Sequence, residues 1–403
     1  MADIDIMNDD LSLLLRNRDY QKALEMLREW ESKDEFDPET LSGELLLAIS
    51  RTYYFGKRYE KSREYLYVFE NNYPQMCLDI EYIEQKDKLL ILEDKADQVI
   101  KLLFTAINKN KNENEKYWLI LYLGKAYFWN GEYREANRHF RKCHTYYLEA
   151  GDDHMLGLTL YMMGYLAFQR NMLDQAESYF EEALSSFKKV KRAKQMGNCY
   201  NLLGIIKYRT GNYEESKKYL DLARSKYQFC SSINNVLNCR IAGARVEMFR
   251  GDYDLSEGIL KETYREAGGL NYRRAQALSA EFLGEICCRR ERYGEAEQWL
   301  TEALELAERT APRGDVAAEV FRRLGDVQIE LGKLTEAEAT LSEAEKLCNH
   351  LDDKYELGSV FRARAVLAIR RGDPETARSW IDESVILHRT INERFELGCT
   401  YMK

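Results

Sequence analysis

A helical hairpin that recurs about every 40 residues is the feature that most constrains this chain. Its clearest copy runs from Leu123 to Cys143, where apolar residues keep a helical spacing that is broken only at Asn130 and Gly131. That break predicts a turn between two helices. One hairpin cannot bury its own apolar face, so it needs a neighbour on each side. The repeat therefore predicts a stack of helical hairpins.

The register of the repeat holds over nearly the whole chain. In nearly every second helix a small residue is followed four residues later by a large apolar one, as at Ala136 and Phe140. Small residues permit close helix crossing, and large ones fill the layer between helices. The chain contains ten copies, with predicted turns at Arg18, Lys57, Asp94, Gly131, Asn171, Gly211, Gly251, Glu291, Gly332 and Gly372.

Composition agrees with an all-helical chain and excludes several classes of protein. Only four prolines occur, and 32% of the residues are charged. The formal net charge of -9 argues against a dedicated nucleic-acid binder, because phosphate contacts need a basic surface. Nine scattered cysteines do not form a secreted disulfide framework and indicate a cytoplasmic protein. No signal peptide and no run of about 18 apolar residues is present, so no membrane partner is expected.

The repeat resembles the tetratricopeptide repeat family. The family's Leu-Gly pair, its Gly-x-Tyr turn and the small and large positions that follow are present from Leu203 to Ala223. The period is about 40 residues, longer than the usual 34 of the family. Similar long arrays are found in bacterial signalling and regulatory proteins. The resemblance implies an all-α, right-handed α-solenoid of about ten helical hairpins.

Three segments are expected along the chain. Residues 1–110 are predicted to be irregular N-terminal hairpins, and residues 111–391 a regular array with a 40-residue period. Residues 392–403 match the opening of a first helix, but the chain stops before that repeat is complete. They are expected to be a cap or a truncated repeat, and truncation is favoured because this segment lacks the polar face of a cap.

No motif points to catalysis or to a cofactor. His139, Cys143 and His144 cluster on one predicted helix, but no motif with metal-ligand spacing completes a site, so a structural role is expected and no metal. The sequence contains no nucleophile elbow, P-loop or dinucleotide fingerprint. We therefore expect a protein that is not an enzyme and binds no cofactor.

The resemblance implies that the first helices line a concave groove that binds a peptide or a partner protein. Asparagine side chains both donate to and accept from a peptide backbone, so asparagines with a flanking arginine suit an extended segment. Tyrosines that pack between long helices, and asparagines that are ordinary polar surface, remain the alternatives. The expected peptide-binding residues are Asn198, Asn201, Asn238, Arg245, Tyr161, Tyr165, Arg322 and Arg362.

The predicted function is a non-catalytic scaffold for protein or peptide binding, as the sensory or docking module of a larger cytoplasmic signalling or transcription-regulating protein. One alternative is an RNA- or DNA-binding solenoid, which Glu281, Glu285 and Asp326 in the expected groove disfavour. A second alternative is a self-assembling scaffold that associates through its C-terminal hairpin.

Overall fold

The described part of the chain is built from α-helices. The structure is a computed structural model that describes residues 10–11, 13–14, 20–33, 36–56, 58–92, 95–309, 311, 314–351 and 353–390. These residues contain nineteen complete α-helices and no β-strand. The chain divides into two compact units, residues 1–150 and 151–403. The described helices confirm the predicted all-α class.

The first unit contains seven of these helices and two short 3₁₀ helices, Pro38–Thr40 and Pro74–Met76. The α-helices are α1 (Tyr20–Glu31), α2 (Gly43–Phe55), α3 (Tyr59–Asn72), α4 (Ile80–Leu92), α5 (Ala96–Lys109), α6 (Glu113–Trp129) and α7 (Tyr133–Ala150). The hairpin predicted from Leu123 to Cys143 spans the end of α6 and the start of α7. Gly131 turns the chain with φ of +77°, where glycine avoids the strain of a side chain.

The second unit contains twelve of these helices, paired as consecutive hairpins. They are α8 (Asp153–Gln169), α9 (Leu173–Lys189), α10 (Ala193–Arg209), α11 (Tyr213–Phe229), α12 (Ile233–Arg250), α13 (Tyr253–Gly269), α14 (Arg273–Arg289), α15 (Tyr293–Glu308), α16 (Asp315–Glu330), α17 (Leu334–Leu351), α18 (Lys354–Arg370) and α19 (Pro374–Thr390).

The predicted turns lie between the paired helices of this unit. Residues at these turns adopt a left-handed backbone conformation, which ends one helix and starts the next. They are Asn171, Gly211, Gly251, Glu291, Gly332 and Gly372, each with φ between +56° and +89°. The three turns predicted at residues 18, 57 and 94 lie outside the described residues.

Close packing within each hairpin depends on the repeated small and large residues. A Cβ added to Gly164 would lie 2.8 Å from Cε1 of Phe180, and one added to Gly325 would lie 2.6 Å from Cδ2 of Leu341. The glycine of the first helix therefore leaves room for the large residue of the second helix. At Ser216 the small position also donates a hydrogen bond to the Gly204 carbonyl oxygen, at 2.7 Å.

The segment boundaries expected from the sequence remain predictions. The structure has a short connection between Lys109 and Glu113, near the expected boundary at residue 110. Residues 391–403, which include the expected partial helix at 392–403, lie outside the described residues. Among the helices that are described, none is both long and apolar enough to cross a lipid bilayer.

Candidate functional site

The first helices of the hairpins in the second unit form one curved layer. Along this layer α10 packs on α12, α12 on α14, α14 on α16 and α16 on α18. Three helices of the layer separate α10 from α18, yet the guanidinium carbon of Arg209 on α10 lies 5.9 Å from the ring centroid of Tyr355 on α18. The layer is therefore strongly curved. We call the inner side of α8, α10, α12, α14, α16 and α18 the groove.

Three asparagines on α10 and α12 form what we call the amide segment: Asn198, Asn201 and Asn238. Tyr227 donates its hydroxyl to Oδ1 of Asn198 at 2.8 Å, and the Cys239 thiol lies 3.6 Å from Oδ1 of Asn201. Oδ1 of Asn238 is buried and has no hydrogen-bond partner among the described residues. The three side-chain NH₂ groups likewise make no hydrogen bond within the described part of the chain. The amide segment therefore keeps its donors available.

Arg245 on α12 is held by aromatic rings rather than by a carboxylate. Its guanidinium carbon lies 4.4 Å from the ring centroid of Phe282 and 5.2 Å from that of Tyr208. One terminal nitrogen donates to the Tyr208 hydroxyl at 2.9 Å, whereas the buried Nε has no partner among the described residues. No carboxylate of those residues lies within 4 Å of this guanidinium. Arg245 is therefore oriented but not neutralised.

Tyr161 and Tyr165 on α8 are half-buried and engaged in aromatic packing. Their ring planes differ by 4° with centroids 6.4 Å apart, and the Tyr161 ring lies 5.6 Å from that of Phe180. Burial raises the pKa of both phenols. This environment agrees with the alternative that the tyrosines pack between helices, and their predicted role in peptide binding remains a prediction.

Seven charged residues on α14, α16 and α18 form what we call the ionic segment: Glu281, Glu285, Glu319, Arg322, Arg323, Asp326 and Glu356. Nε of Arg323 donates to Glu281 at 2.8 Å, and its Nη1 donates to Glu285 at 2.6 Å. Arg322 pairs with Glu356 and, at 2.8 Å, with Asp326. These ion pairs connect adjacent repeats along the layer.

The ion pairs keep Glu285 ionised. Although burial opposes ionisation, Arg323 and Arg289 hold the pKa of Glu285 down at about 2. Glu281 is 0% exposed, so the prediction that it lines an open groove surface is wrong. Its carboxylate instead anchors Arg323 inside the layer. Arg362, the remaining predicted site residue, is half-buried on α18.

Family models of the tetratricopeptide repeat match four segments of the chain. The matched residues are 117–189 and 273–350, 197–223, and 359–383. Together these segments make up about half of the sequence. The chain belongs to the tetratricopeptide repeat family. A search of characterised proteins by sequence finds no match.

Solved structures with a similar fold include other tetratricopeptide-type solenoids. A Rap protein complexed with Competence and Sporulation Factor is 14% identical and has a TM-score of 0.56, with 98% of this chain and 99% of that chain covered. NprR in complex with its cognate peptide NprX is 13% identical and has a TM-score of 0.56, covering 74% of this chain and 86% of that one.

A third similar structure is the Rap conjugation gene regulator of the plasmid pLS20 in complex with the Phr* peptide. It is 14% identical and has a TM-score of 0.56, and the match covers 88% of this chain and 97% of that one. At these identities the likeness is one of fold. It confirms the predicted tetratricopeptide-type α-solenoid.

The sequence prediction missed the residues that orient Arg245 and that pair with the predicted groove acids. Tyr208 and Phe282 orient Arg245, and Arg323 pairs with both Glu281 and Glu285. A signal for the ionic segment exists, because Glu319, Arg322, Arg323 and Asp326 are spaced i, i+3, i+4 and i+7 on one helix face. Among the described residues no group of three or more His, Cys, Asp or Glu side chains could hold a metal ion.

Proposed function

We propose that the groove of the second unit binds an extended peptide segment, and that the chain serves as a non-catalytic sensory or docking module in cytoplasmic regulation. The observation that carries this proposal is the amide segment beside Arg245. It offers, among the described residues, unused amide donors and an unneutralised guanidinium on two neighbouring helices.

This set of groups matches the chemistry of a peptide backbone. A backbone presents carbonyl acceptors and N–H donors in alternation, and asparagine side chains can bond with both. Asn201 and Asn238 lie on adjacent helices of one layer, so a peptide that crosses α10 and α12 can meet both amides. The proposed role of the amide segment is to hold the backbone independently of the peptide's side chains.

Arg245 supplies a group that suits a carbonyl or carboxylate of the ligand. Hydrogen bonds from a guanidinium to an ionised acceptor are about twice as strong as neutral ones. The contacts with Phe282 and Tyr208 already orient this side chain, so binding costs little side-chain entropy. We propose that Arg245 selects ligands with an acceptor at this position.

Structures of the same fold support a peptide as the ligand. NprR is described with its cognate peptide NprX, and the Rap conjugation regulator with the Phr* peptide. Both proteins share the solenoid fold of this chain. We extend peptide binding from them to this chain by analogy.

The test is selection of linear heptapeptides from a phage-displayed library against the full chain. The best binder is then titrated by fluorescence anisotropy against the wild type and a variant that combines Asn201→Ala with Arg245→Met. Methionine keeps apolar contact with Phe282 but removes the donors. We expect at least a tenfold loss of affinity, which corresponds to about 1.4 kcal/mol.

A matched control combines Asn349→Ala with Arg309→Met. Asn349 bonds only its own helix on α17, and Arg309 makes an exposed pair with Glu305, so neither belongs to the groove. This control should bind the peptide as the wild type does. The proposal is wrong if no peptide is selected, or if the groove variant and the control variant bind equally well.

A further inference from the structure

Three consecutive connections between hairpins of the second unit form what we call the basic edge. It consists of residues 188–194, 226–233 and 270–274, which join α9 to α10, α11 to α12 and α13 to α14. Each connection links the end of a second helix to the start of the next first helix, so all three lie at the same end of the stacked hairpins. Because α10, α12 and α14 pack on one another in that order, the three connections are neighbours in space.

The charge of the basic edge is opposite to that of the whole chain. The chain has a formal net charge of -9. Nevertheless, the stretches that surround the three connections contain no Asp or Glu at all, and these stretches are residues 183–213, 222–246 and 267–280. A local excess of lysine and arginine therefore stands out from an acidic protein.

Most cations of the basic edge have no partner in the described part of the chain. At its two borders Lys189 pairs with Asp153 at 2.8 Å, and Arg274 pairs with Asp315 at 2.6 Å. Five other side chains make neither an ion pair nor a hydrogen bond with any described residue: Lys188, Lys191, Arg192, Lys226 and Arg273. All of these five except Lys226 are exposed. The protein therefore leaves five charges of this surface unneutralised.

The helix starts at the basic edge add to its positive potential. The described helices α10, α12 and α14 have no acidic residue in their first turn, and their N-cap residues make no side-chain capping hydrogen bond. A helix dipole places about half a positive charge at the N-terminus. By contrast, α8, which precedes the basic edge, is capped by Asp152 and has Asp153 in its first turn. The positive potential is thus confined to three successive hairpins.

Exposed apolar side chains lie among these cations. Phe229 is 82% exposed, the highest value for a large apolar side chain among the described residues, and Ile233 at the same connection is 44% exposed. Val190 and Leu270 are exposed at the two neighbouring connections. Single exposed apolar residues are normal, but here they recur at three adjacent connections beside unneutralised cations. The basic edge therefore offers apolar contact and positive charge on one surface.

We propose that the basic edge binds a short acidic segment of a partner protein, one that also carries apolar side chains. Its carboxylates pair with the unneutralised cations, and its apolar side chains cover Phe229 and the exposed residues beside it. Packed helices lie about 8–10 Å apart, so the three connections extend over about 20 Å. About six or seven extended residues, or a helix of about 14, span that length. The basic edge lies at the ends of the first helices, so this docking surface goes beyond the proposed groove and uses other residues.

The borders of the basic edge favour a short protein segment over a nucleic acid or a membrane. Asp153 lies at one border and Asp315 at the other, and α18 further along begins beside Asp353. A nucleic-acid duplex or an anionic bilayer extends past these borders and brings its phosphates close to the acids. Phosphate contacts also make no use of Phe229. A short acidic segment fits between the borders and uses both the cations and the apolar side chains.

The first test is selection from a phage-displayed library of 16-residue peptides. The library is selected on the full chain and depleted on an edge variant that combines Lys188→Gln, Lys191→Gln and Arg192→Gln. Depletion removes peptides that bind the groove, because the groove is unchanged in this variant. We expect the remaining peptides to be rich in Asp and Glu and to contain apolar residues. The proposal is overturned if the remaining peptides are neutral or basic, or if none remains.

The second test measures the contribution of charge. The best binder is titrated by fluorescence anisotropy, and we expect the edge variant to bind it at least about tenfold more weakly than the wild type. Added salt should weaken binding to the wild type more than to the edge variant, because salt screens exposed charges. The matched control combines Lys218→Gln, Lys354→Gln and Arg378→Gln, which remove three exposed charges outside the basic edge. An equal loss in the edge variant and the control would show that only net charge matters, and would overturn the proposal.

The third test measures the apolar contribution and separates this docking surface from the groove. Phe229→Ser should weaken binding of the same peptide without changing its dependence on salt. The groove variant, which combines Asn201→Ala with Arg245→Met, should bind this peptide as the wild type does. Wild-type affinity in Phe229→Ser, or a loss in the groove variant alone, would contradict docking at the basic edge. Failure of the groove to bind any peptide would leave this inference standing.

Two competitors test the choice of partner. A DNA duplex of about 20 base pairs and vesicles of phosphatidylcholine with phosphatidylserine are titrated against the wild type and the edge variant. We expect both to bind the wild type more weakly than the selected peptide does. Tighter binding by either competitor, lost in the edge variant, would assign the basic edge to that ligand and overturn the proposal.

Discussion

The amide segment and the ionic segment occupy the same layer of helices but differ in how many of their polar atoms have partners within the protein. In the ionic segment most charged groups bind one another, as Arg323 does with Glu281 and Glu285. In the amide segment the side-chain NH₂ groups are unused, and Oδ1 of Asn238 has no partner among the described residues. Polar groups that bond one another stabilise the fold, whereas NH₂ groups without a partner in the protein can donate to a ligand that reaches them. The comparison predicts that substitutions in the two segments separate stability from binding.

The largest effect should come from Arg323→Met in the ionic segment. Loss of the Arg323 guanidinium leaves Glu281 fully buried without its cation. Removing one partner of a buried ion pair lowers the free energy of unfolding by about 3–5 kcal/mol. We expect a large fall in the midpoint of urea unfolding, followed by circular dichroism. Arg309→Met, which breaks only an exposed pair on α15, is the control and should cost less than about 1 kcal/mol. Similar midpoints for the two variants would show that the ionic segment does not stabilise the layer.

The second prediction concerns the pH dependence of stability. Burial and Glu281 raise the pKa of Glu319 in the folded chain, whereas in the unfolded chain it is ordinary. Between these two pKa values the unfolded chain has released the proton and the folded chain keeps it, so the free energy of unfolding falls as pH rises. Glu319→Gln cannot titrate and keeps the size of the side chain. The variant should therefore gain stability over the wild type across that window, up to the folded pKa.

The measurement is urea unfolding of both proteins from about pH 3 to pH 9. Below pH 4.5 the two proteins should be close in stability, because Glu319 is then protonated in both the folded and the unfolded chain. A wild type that gains stability relative to Glu319→Gln as pH rises would contradict the raised pKa of Glu319. Glu305→Gln gives the baseline for an exposed glutamate.

The fold could be predicted from sequence because its signals are local and repeated. The turn residues, such as Gly211 and Gly251, and the pairing of Gly164 with Phe180 recur at a fixed spacing, and the structure confirms them. Each hairpin has to bury its apolar face against its neighbours, so the same packing arrangement recurs along the chain. Helix type and hairpin order follow from that period alone.

The groove could be predicted only in outline, because its chemistry depends on contacts between repeats. Arg245 is oriented by Phe282, which lies in the next first helix along the layer, and nothing in the sequence near Arg245 indicates this. Glu281 occupies a predicted groove position yet is fully buried, because Arg323 from the following first helix reaches it. Such contacts depend on how far each repeat is rotated relative to the one before it. The length of the repeat does not specify that rotation.

A smaller effect is expected at the hydrogen bond between Tyr227 and Asn198. Tyr227→Phe removes a hydroxyl that donates to Oδ1 of Asn198 at 2.8 Å and keeps the ring in place. Loss of a neutral hydrogen bond costs about 1 kcal/mol. We expect a lower unfolding midpoint with peptide affinity close to that of the wild type, because the side-chain NH₂ donors of Asn198 remain. A strong loss of affinity would mean that Tyr227 orients this amide for the ligand.

The smallest effect on stability should come from Asn201→Ala, and it tests the comparison most directly. Among the described residues Oδ1 of Asn201 accepts only from the Cys239 thiol, a weak donor at 3.6 Å. Alanine also favours the helix more than asparagine does. These two contributions oppose each other, so the free energy of unfolding should stay within about 0.5 kcal/mol of the wild-type value. Peptide affinity should nevertheless fall, because one backbone contact is lost. Equal affinity with unchanged stability would make Asn201 ordinary polar surface, and the distinction between the two segments would then rest on Asn238 and Arg245.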